Sequence, residues 1–362
     1  MDLERSLLRR SGFELEELDF HNPSSNLATA AALVRSSSNR SASRRVVERA
    51  REFEADVVHI HNTWFALSPA VIRELHGHRF PVVMTFHNYR LVCANAMLFR
   101  DGRPCEDCVG GSPLPGVVHR CYRNSFLSSA MVAVTIETHR RRSTWSEHLS
   151  AAIALTEFAR TRLLQGGLPL ERTVVKPNFA IDPGPRSNLA SASKRVLYVG
   201  RLSPEKGVVP LIEAWETAKL QDLELVIVGS GPQADEARAR AGASVRLVGR
   251  LTPDEVRYEM LRARALVVPS ISYEGQPTVI LEALAAGLPV WCTERGALRE
   301  TAGPGGISLG DGRMTTLADA LQGLTDDELL DRVGVAARRE FEHRYTPEKA
   351  IEALRQIYST VA

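Results

Sequence analysis

No run of this chain approaches the roughly 18 uncharged apolar residues that a membrane-spanning helix requires. The opening Met1-Asp-Leu-Glu-Arg5 lacks the plan of a secretory signal. Charge of one sign is not in excess either: the formal net charge is +2 over 362 residues, too little to argue for nucleic acid as a partner. There is no internal repeat and no low-complexity tract. Cysteine is sparse, five in all, and without an export signal the chain points to the cytoplasm, where thiols stay reduced. What is present is the composition of a globular protein, 44% apolar and 24% charged, at a length that favours two domains.

Short apolar runs alternate with helical patterns along the whole chain. Asp56–His61, Val82–Phe86 and Ala151–Leu155 read as buried strands of a first α/β unit. Val196–Gly200, Leu223–Gly229, Val245–Gly249 and Leu266–Val268 form a second series. This is the pattern of parallel sheets built from helical crossovers. The expected architecture is α/β: two doubly wound, Rossmann-like domains facing an interdomain cleft, where such sheets bind ligands. Residues 1–180 form the first domain and 194–345 the second. The Pro-, Gly- and Ser-rich stretch 181–193 reads as the linker, and 346–362 as a C-terminal helix packing back on the first domain.

The most informative stretch is Glu274-Gly-Gln-Pro-Thr-Val-Ile-Leu-Glu282, running on into Ala-Leu-Ala-Ala-Gly287. It follows a buried strand. Pro277 suits the start of a helix and Gly287 its stop. A helix start at the carboxyl end of a parallel strand offers free N–H groups and a positive dipole end to a phosphate. Two carboxylates beside such a site make sense if the ligand also carries sugar hydroxyls. Upstream, Gly200-Arg201-Leu-Ser-Pro-Glu-Lys206-Gly207 follows another strand. Gly200 permits a tight turn, and two cations answer a diphosphate, Arg201 as a fork and Lys206 as a point charge. In Thr85-Phe-His87-Asn88 a histidine stands just beyond a buried strand. His59 and His61 end the preceding strand and read as structural.

With these motifs in this order, the chain resembles glycosyltransferase family 4, retaining enzymes of the GT-B fold, whose acid-x7-acid signature matches Glu274 and Glu282. The resemblance implies a hexose-type transferase that takes its sugar from a nucleotide diphosphate sugar and passes it, with retention, to a glycan or lipid-linked acceptor in cell-surface polysaccharide synthesis. Arg201 and Lys206 would hold the diphosphate, with amides around Gln276, Pro277 and Thr278 assisting. Glu274 would contact the donor sugar and Glu282 the ribose. Gly229, in Gly229-Ser-Gly231, and Arg250-Leu251 would lie beside the nucleotide. His87 would face the donor sugar and the incoming hydroxyl. No catalytic metal is expected. The alternatives are a truncated, non-catalytic nucleotide-sugar-binding or assembly protein and, more remotely, a GT-B sugar-nucleotide epimerase.

Four cysteines, Cys93, Cys105, Cys108 and Cys121, fall in one Gly- and Pro-rich insertion, 93–121. The spacing is Cys-x11-Cys-x2-Cys-x12-Cys, which suits a structural zinc. The insertion resembles that of a family 4 subgroup from bacterial polysaccharide clusters. Cys292, alone on an apolar segment, reads as a small filler. Arg140–Arg142 with Trp145, and Arg120 and Arg123 nearby, would suit peripheral contact with an anionic membrane surface. Family members open with a strand and a Gly-rich loop, whereas Asp2–Arg10 here already reads as the following helix and Phe13–Phe20 as the second strand. The resemblance therefore implies a central strand upstream, whose restoration would raise stability by several kcal/mol.

Overall fold

The computed structural model describes residues 2–22 and 32–362. The chain folds as two Rossmann-like α/β units, each built on a parallel sheet. One takes in the chain up to Arg100, then Cys105–Lys176 and Ile351–Ala362. The other takes in Pro177–Ala350 with Asp101–Pro104.

In the first unit, β1 (Val58–Ile60), β2 (Val82–Phe86), β3 (Ala151–Ala154) and β4 (Thr173–Val175) lie side by side in sequence order, all parallel. Helix α1 (Asp2–Arg10) supplies Leu8 to one face of this sheet, and the end of α5 (Pro347–Val361) supplies Leu354 and Ile357, packed with Val83, Ala151 and Ile153. The segment Phe13–Phe20 does not form the strand its apolar alternation predicts: it makes no ladder among the described residues. Its carboxylates are taken up by arginines on neighbouring helices, Glu17 by Arg9 at 2.6 Å and Glu16 by Arg49 at 2.7 Å. Side-chain pairing holds it in place where backbone pairing was expected.

Helix α2 (Phe126–Arg141) starts at Ser125, whose hydroxyl accepts from the amide of Ser128. The membrane-facing reading of its end needs correction. Trp145 is buried, edge-on to Phe86 and beside His139, and Glu137 ion-pairs both Arg140 and Arg141. The indole is core, so Trp145 is not the exposed aromatic that the membrane reading set beside those arginines.

In the second unit the strands are β5 (Arg195–Val199), β6 (Glu224–Val228), β7 (Val245–Gly249), β8 (Ala265–Val268), β9 (Val290–Cys292) and β10 (Gly306–Ser308). Their spatial order is β10-β9-β8-β5-β6-β7, again all parallel. The period of two divides the apolar side chains between two cores. Val196, Tyr198, Leu225, Ile227, Ala265, Val267 and Trp291 face one side; Leu197, Val226, Val228, Leu266, Val268, Val290 and Cys292 face the other. Such runs, buried on both faces, are what a central parallel sheet requires. Residues 181–193 are fastened to this unit rather than free. Arg186 donates to the carbonyls of Met260 and Ala263, and the Ser191 hydroxyl bonds Asp331.

The strand order matters for function. The chain starts at β5, builds outward through β6 and β7, then returns to place β8 on the other flank of β5. The loops leaving β5 and β8 therefore diverge at the sheet's carboxyl edge, the crevice where doubly wound sheets hold ligands.

Candidate functional site

The loop after β5 runs from Gly200 through a short 3-10 turn, Pro204–Lys206, into α3 (Val208–Ala218). Gly207, at φ +70°, joins the two; a Cβ there would lie 2.2 Å from the carbonyl oxygen of Pro269, just past β8. The carbonyl of Glu205 accepts from the amide of Ile271 at 3.0 Å, a second tie between the loops. Where they meet, Lys206 Nζ donates to Glu274 Oε1 at 2.5 Å. The backbone of Glu274 is held from behind, its carbonyl accepting from the amide of Ala297 at 3.2 Å and its chain pressed against Gly296. The structure thus brings Lys206 and Glu274 together at the switch point of the sheet.

Helix α4 (Thr278–Ala285) begins four residues beyond Glu274. Pro277 sits at its N-cap rather than inside its first turn, extended at ψ 123°, which leaves the first amides unpaired within the helix. Gly287, at φ +60°, ends it. Gln276 is buried. Its Oε1 accepts from the amide of Asn178 at 2.7 Å, while its Nε2 has no partner. A buried donor with no partner among the described residues costs on the order of 1–3 kcal/mol. Thr278 is exposed at the helix start. Glu282 lies further along α4; burial pushes its carboxyl above the ordinary range, and the Arg257 charge pulls it back.

Loops after β5, β6 and β7 are laced together. Gly200 N–H donates to the carbonyl of Val228, Leu202 N–H to that of Ser230, and Gly229 N–H to that of Gly249 at 2.7 Å. Gly229 has φ +142°, and a Cβ on it would stand 1.9 Å from the carbonyl oxygen of Gly200. Arg250 Nε donates to Ser230 Oγ at 2.6 Å, and Leu251 packs on the core beneath. The Arg201 side chain is exposed, while its carbonyl accepts from the Tyr198 hydroxyl at 2.8 Å.

His87 follows β2 in the first unit and lines a pocket with His61, Asn62, Trp64, Arg90 and Trp145, among others. Its Nε2 is 3.0 Å from His61 Nδ1, and the rings stack at 5.3 Å. Packing around the ring is the main cause that lowers the His87 pKa to about 4, although the residue as a whole is exposed, so the ring is neutral at pH 7. His61, read from sequence as structural, therefore touches the site directly. A His-x-His at a strand end puts both rings on one face of the sheet, the signal that could have shown it.

Glu4, His59 and His61 place one ligand atom each within 4.8 Å of one another. The surroundings do not suit a cation. Both nitrogens of His59 are already engaged, by the Tyr358 hydroxyl at 2.7 Å and the Thr85 hydroxyl at 2.8 Å. The Lys176 ammonium lies 2.5 Å from the second oxygen of Glu4. The cysteines differ. Cys93, Cys105, Cys108 and Cys121 all line one cavity with Asn95 and Arg100, and none is in a disulfide. Burial pushes the Cys108 thiol up to about 11, and the other three sulfurs add to the rise. Cys93 Sγ meanwhile donates to Asn95 Oδ1 at 2.9 Å.

Among the described residues no helix is long and apolar enough to cross a membrane. Residues 9–180 match the family model described as Glycosyltransferase Family 4, and residues 193–327 the model of Glycosyl transferases group 1. A phosphatidyl-myo-inositol mannosyltransferase of Mycobacterium leprae is 29% identical over 235 residues, covering 60% of this chain and 61% of that one. A glycogen synthase of Mycobacterium tuberculosis is 35% identical over 173 residues, covering 45% of this chain and 42% of that one. The chain thus spans less than two thirds of the length of these curated relatives. Among solved structures, HepE of Anabaena, crystallised with UDP and glucose, is similar in fold. Its TM-score is 0.64 at 18% identity, over 98% of this chain and 88% of that one.

Proposed function

We propose that this chain, whose two parts match glycosyltransferase models and whose fold is GT-B, transfers a hexose-type sugar from a nucleotide diphosphate sugar to a glycan or lipid-linked acceptor, with retention, in cell-surface polysaccharide or glycolipid synthesis. The observation that carries the reading is the meeting of Lys206 and Glu274 at the switch point, beside the start of α4 and the unpaired amide of Gln276. Lys206 and Arg201 provide cations for a diphosphate, and Gln276 and the first amides of α4 provide neutral donors. Glu274, released from Lys206 when phosphate takes the ammonium, is left beside the sugar as an acceptor for its hydroxyls and a counter-charge to an oxocarbenium-like ring.

Retention needs no carboxylate nucleophile. The leaving phosphate oxygen can take the acceptor's proton on the same face, while Lys206 and the helix start stabilise the negative charge that develops on the diphosphate. Gly229 and the loop carrying Arg250 and Leu251 give the nucleotide a close backbone approach. The half-buried Glu282 is suited to ribose hydroxyls. The relatives' names, a mannosyltransferase and a glycogen synthase, and a fold neighbour solved with UDP and glucose support this class of donor and acceptor.

Calorimetry with UDP, GDP and ADP is the test. One nucleotide should bind at micromolar strength or better, and Arg201→Ala and Lys206→Ala should each weaken it about tenfold, less than additively in combination. No binding by any of the three, or wild-type affinity in both variants, overturns the donor site. Binding with no transfer of sugar from the matching donor favours the non-catalytic alternative.

For the cysteines we propose one structural zinc. Four thiols lining one cavity are the donor set of a closed four-sulfur site, which keeps no open position for chemistry, although no three of their sulfurs lie within 4.8 Å of one another in this structure. Closing them on one ion requires Cys93 to release Asn95, and the cation would replace the proton that burial otherwise holds on Cys108. Metal analysis should give about one zinc per chain, lost together with thermal stability in Cys105→Ser/Cys108→Ser. Four freely titrating thiols in a metal-free, equally stable protein would refute it.

A further inference from the structure

Beside His87 lies a row of polar groups that the transfer reaction does not itself require. Lys176 Nζ, its side chain 1% exposed, donates to Glu4 Oε2 at 2.5 Å. Glu4 Oε1 stands 3.2 Å from His61 Nε2, and His61 Nδ1 stands 3.0 Å from His87 Nε2. Glu4 to Lys176 spans 172 residues of sequence, and His61 to His87 another 26. From this row we infer that Glu4 and His61 are positioning residues which hold the proton of His87 on Nε2 and leave its Nδ1 as a hydrogen-bond acceptor.

The direction of each link follows from what each group can do. Lysine only donates, and an ionised carboxylate only accepts. Burial by itself would raise the Glu4 carboxyl, but the close His61 nitrogen and the Lys176 charge hold it well below the usual range, so it is ionised. His61 must then present its N–H at Nε2. A neutral His61 has a lone pair at Nδ1, and His87 can meet that lone pair only by donating from Nε2. The alternative is an imidazolium at His61, which would reverse the last bond. It would also place a second cation in a buried row whose carboxylate Lys176 already balances. The contact between Glu4 Oε1 and His61 falls short of full hydrogen-bond geometry. At 3.2 Å the two atoms are within ion-pair distance.

His59 braces the row from the side. With both nitrogens held by Tyr358 and Thr85, it stacks on His61 at 4.3 Å and sets the plane of that ring. Among the described residues the Nδ1 of His87 has no partner, and the ring lines the pocket. An acceptor nitrogen suits a sugar hydroxyl that does not react, which donates its hydrogen to it, while the attacking hydroxyl's proton goes to the leaving phosphate oxygen. This role rests on the proposed transfer reaction, whereas the proton's location can be measured without it.

The experiment is nitrogen-15 NMR of the histidine side chains in the full-length protein at pH 7, with His87 assigned by loss of its signals in His87→Gln. His87 should be neutral and protonated at Nε2. Glu4→Gln gives the decisive shift. Lys176 still needs an acceptor, so the amide oxygen turns to it and the amide NH2 faces His61. His61 must then accept at Nε2 and protonate at Nδ1, which moves the His87 proton to Nδ1 as well. His61→Phe keeps the stacking but removes the partner and should leave His87 as a mixture of tautomers. A wild-type His87 protonated at Nδ1 or charged overturns the inference, as does one whose tautomer ignores both substitutions. Should Glu4→Gln fail to fold, the wild-type and His61→Phe spectra still decide. The expected tautomers in a protein that transfers no sugar would leave the relay standing and remove only the proposed reaction.

Discussion

Replacing Lys206 by alanine is expected to lower sugar transfer at saturating donor about a hundredfold, the usual cost of removing one preorganised charge or donor from the leaving group's side of a transition state. Two things are lost together. The diphosphate loses the ammonium that would balance its growing charge, and the Glu274 carboxylate loses one neighbouring cation at 2.5 Å, which raises its repulsion of the phosphate. Glu274→Gln should cost about tenfold, since it keeps the shape and removes the charge. The double variant should be less impaired than the product of the two losses, because the side chains touch each other and the same ligand. Melting should change little: Lys206 is 29% exposed, and a partly exposed ion pair contributes about 1 kcal/mol or less. Single-turnover transfer by the three variants is the measurement. Normal turnover in Lys206→Ala, or losses that multiply fully, would remove the pair from the reaction.

Gly229→Ala carries the largest expected effect on stability. At φ +142° with a Cβ placed 1.9 Å from the Gly200 carbonyl oxygen, an alanine has neither the backbone conformation nor the room. The loop after β6 would have to part from the loop after β5. This breaks the bonds from Gly200 to Val228 and from Leu202 to Ser230 that lace the strand ends. Backbone strain and overpacking together are worth on the order of 3 kcal/mol or more, or roughly 10 °C of melting temperature for a domain of this size. Gly249→Ala is the control. It also has a positive φ, +79°, but nothing lies within 4 Å of its Cβ, so only the conformational cost of about 1 kcal/mol remains. Calorimetric melting of the two proteins separates the contributions. If they melt within a degree of each other, the close approach of the two loops is not what makes Gly229 necessary.

Much of the second unit was legible in the amino acids because its signals are local. Runs such as Leu225–Val228 and Ala265–Val268 are apolar at every position, which only a strand buried on both faces tolerates. Pro277 and Gly287 bracket α4 through their own backbone restrictions, and the glycines at strand ends mark turns that side chains would block. Phe13–Phe20 shows the limit of such signals: the alternation was there, but a strand exists only if another backbone lies alongside, and arginines on two helices hold this segment instead. Trp145 shows it again, an aromatic beside three arginines whose destination was the core. The residue types of the candidate donor site were likewise visible, from Arg201 and Lys206 to Glu274 and Glu282. Which of them meet was not. Lys206 and Glu274 are 68 residues apart and touch because β8 returns to the flank of β5. Glu4, Lys176, His61 and His87 form one row because α1 and the ends of β1 and β2 share a face. Residue type and short-range pattern set what each segment can become, but strand order and side-chain partners depend on contacts between distant segments, and those exist only once the chain has packed.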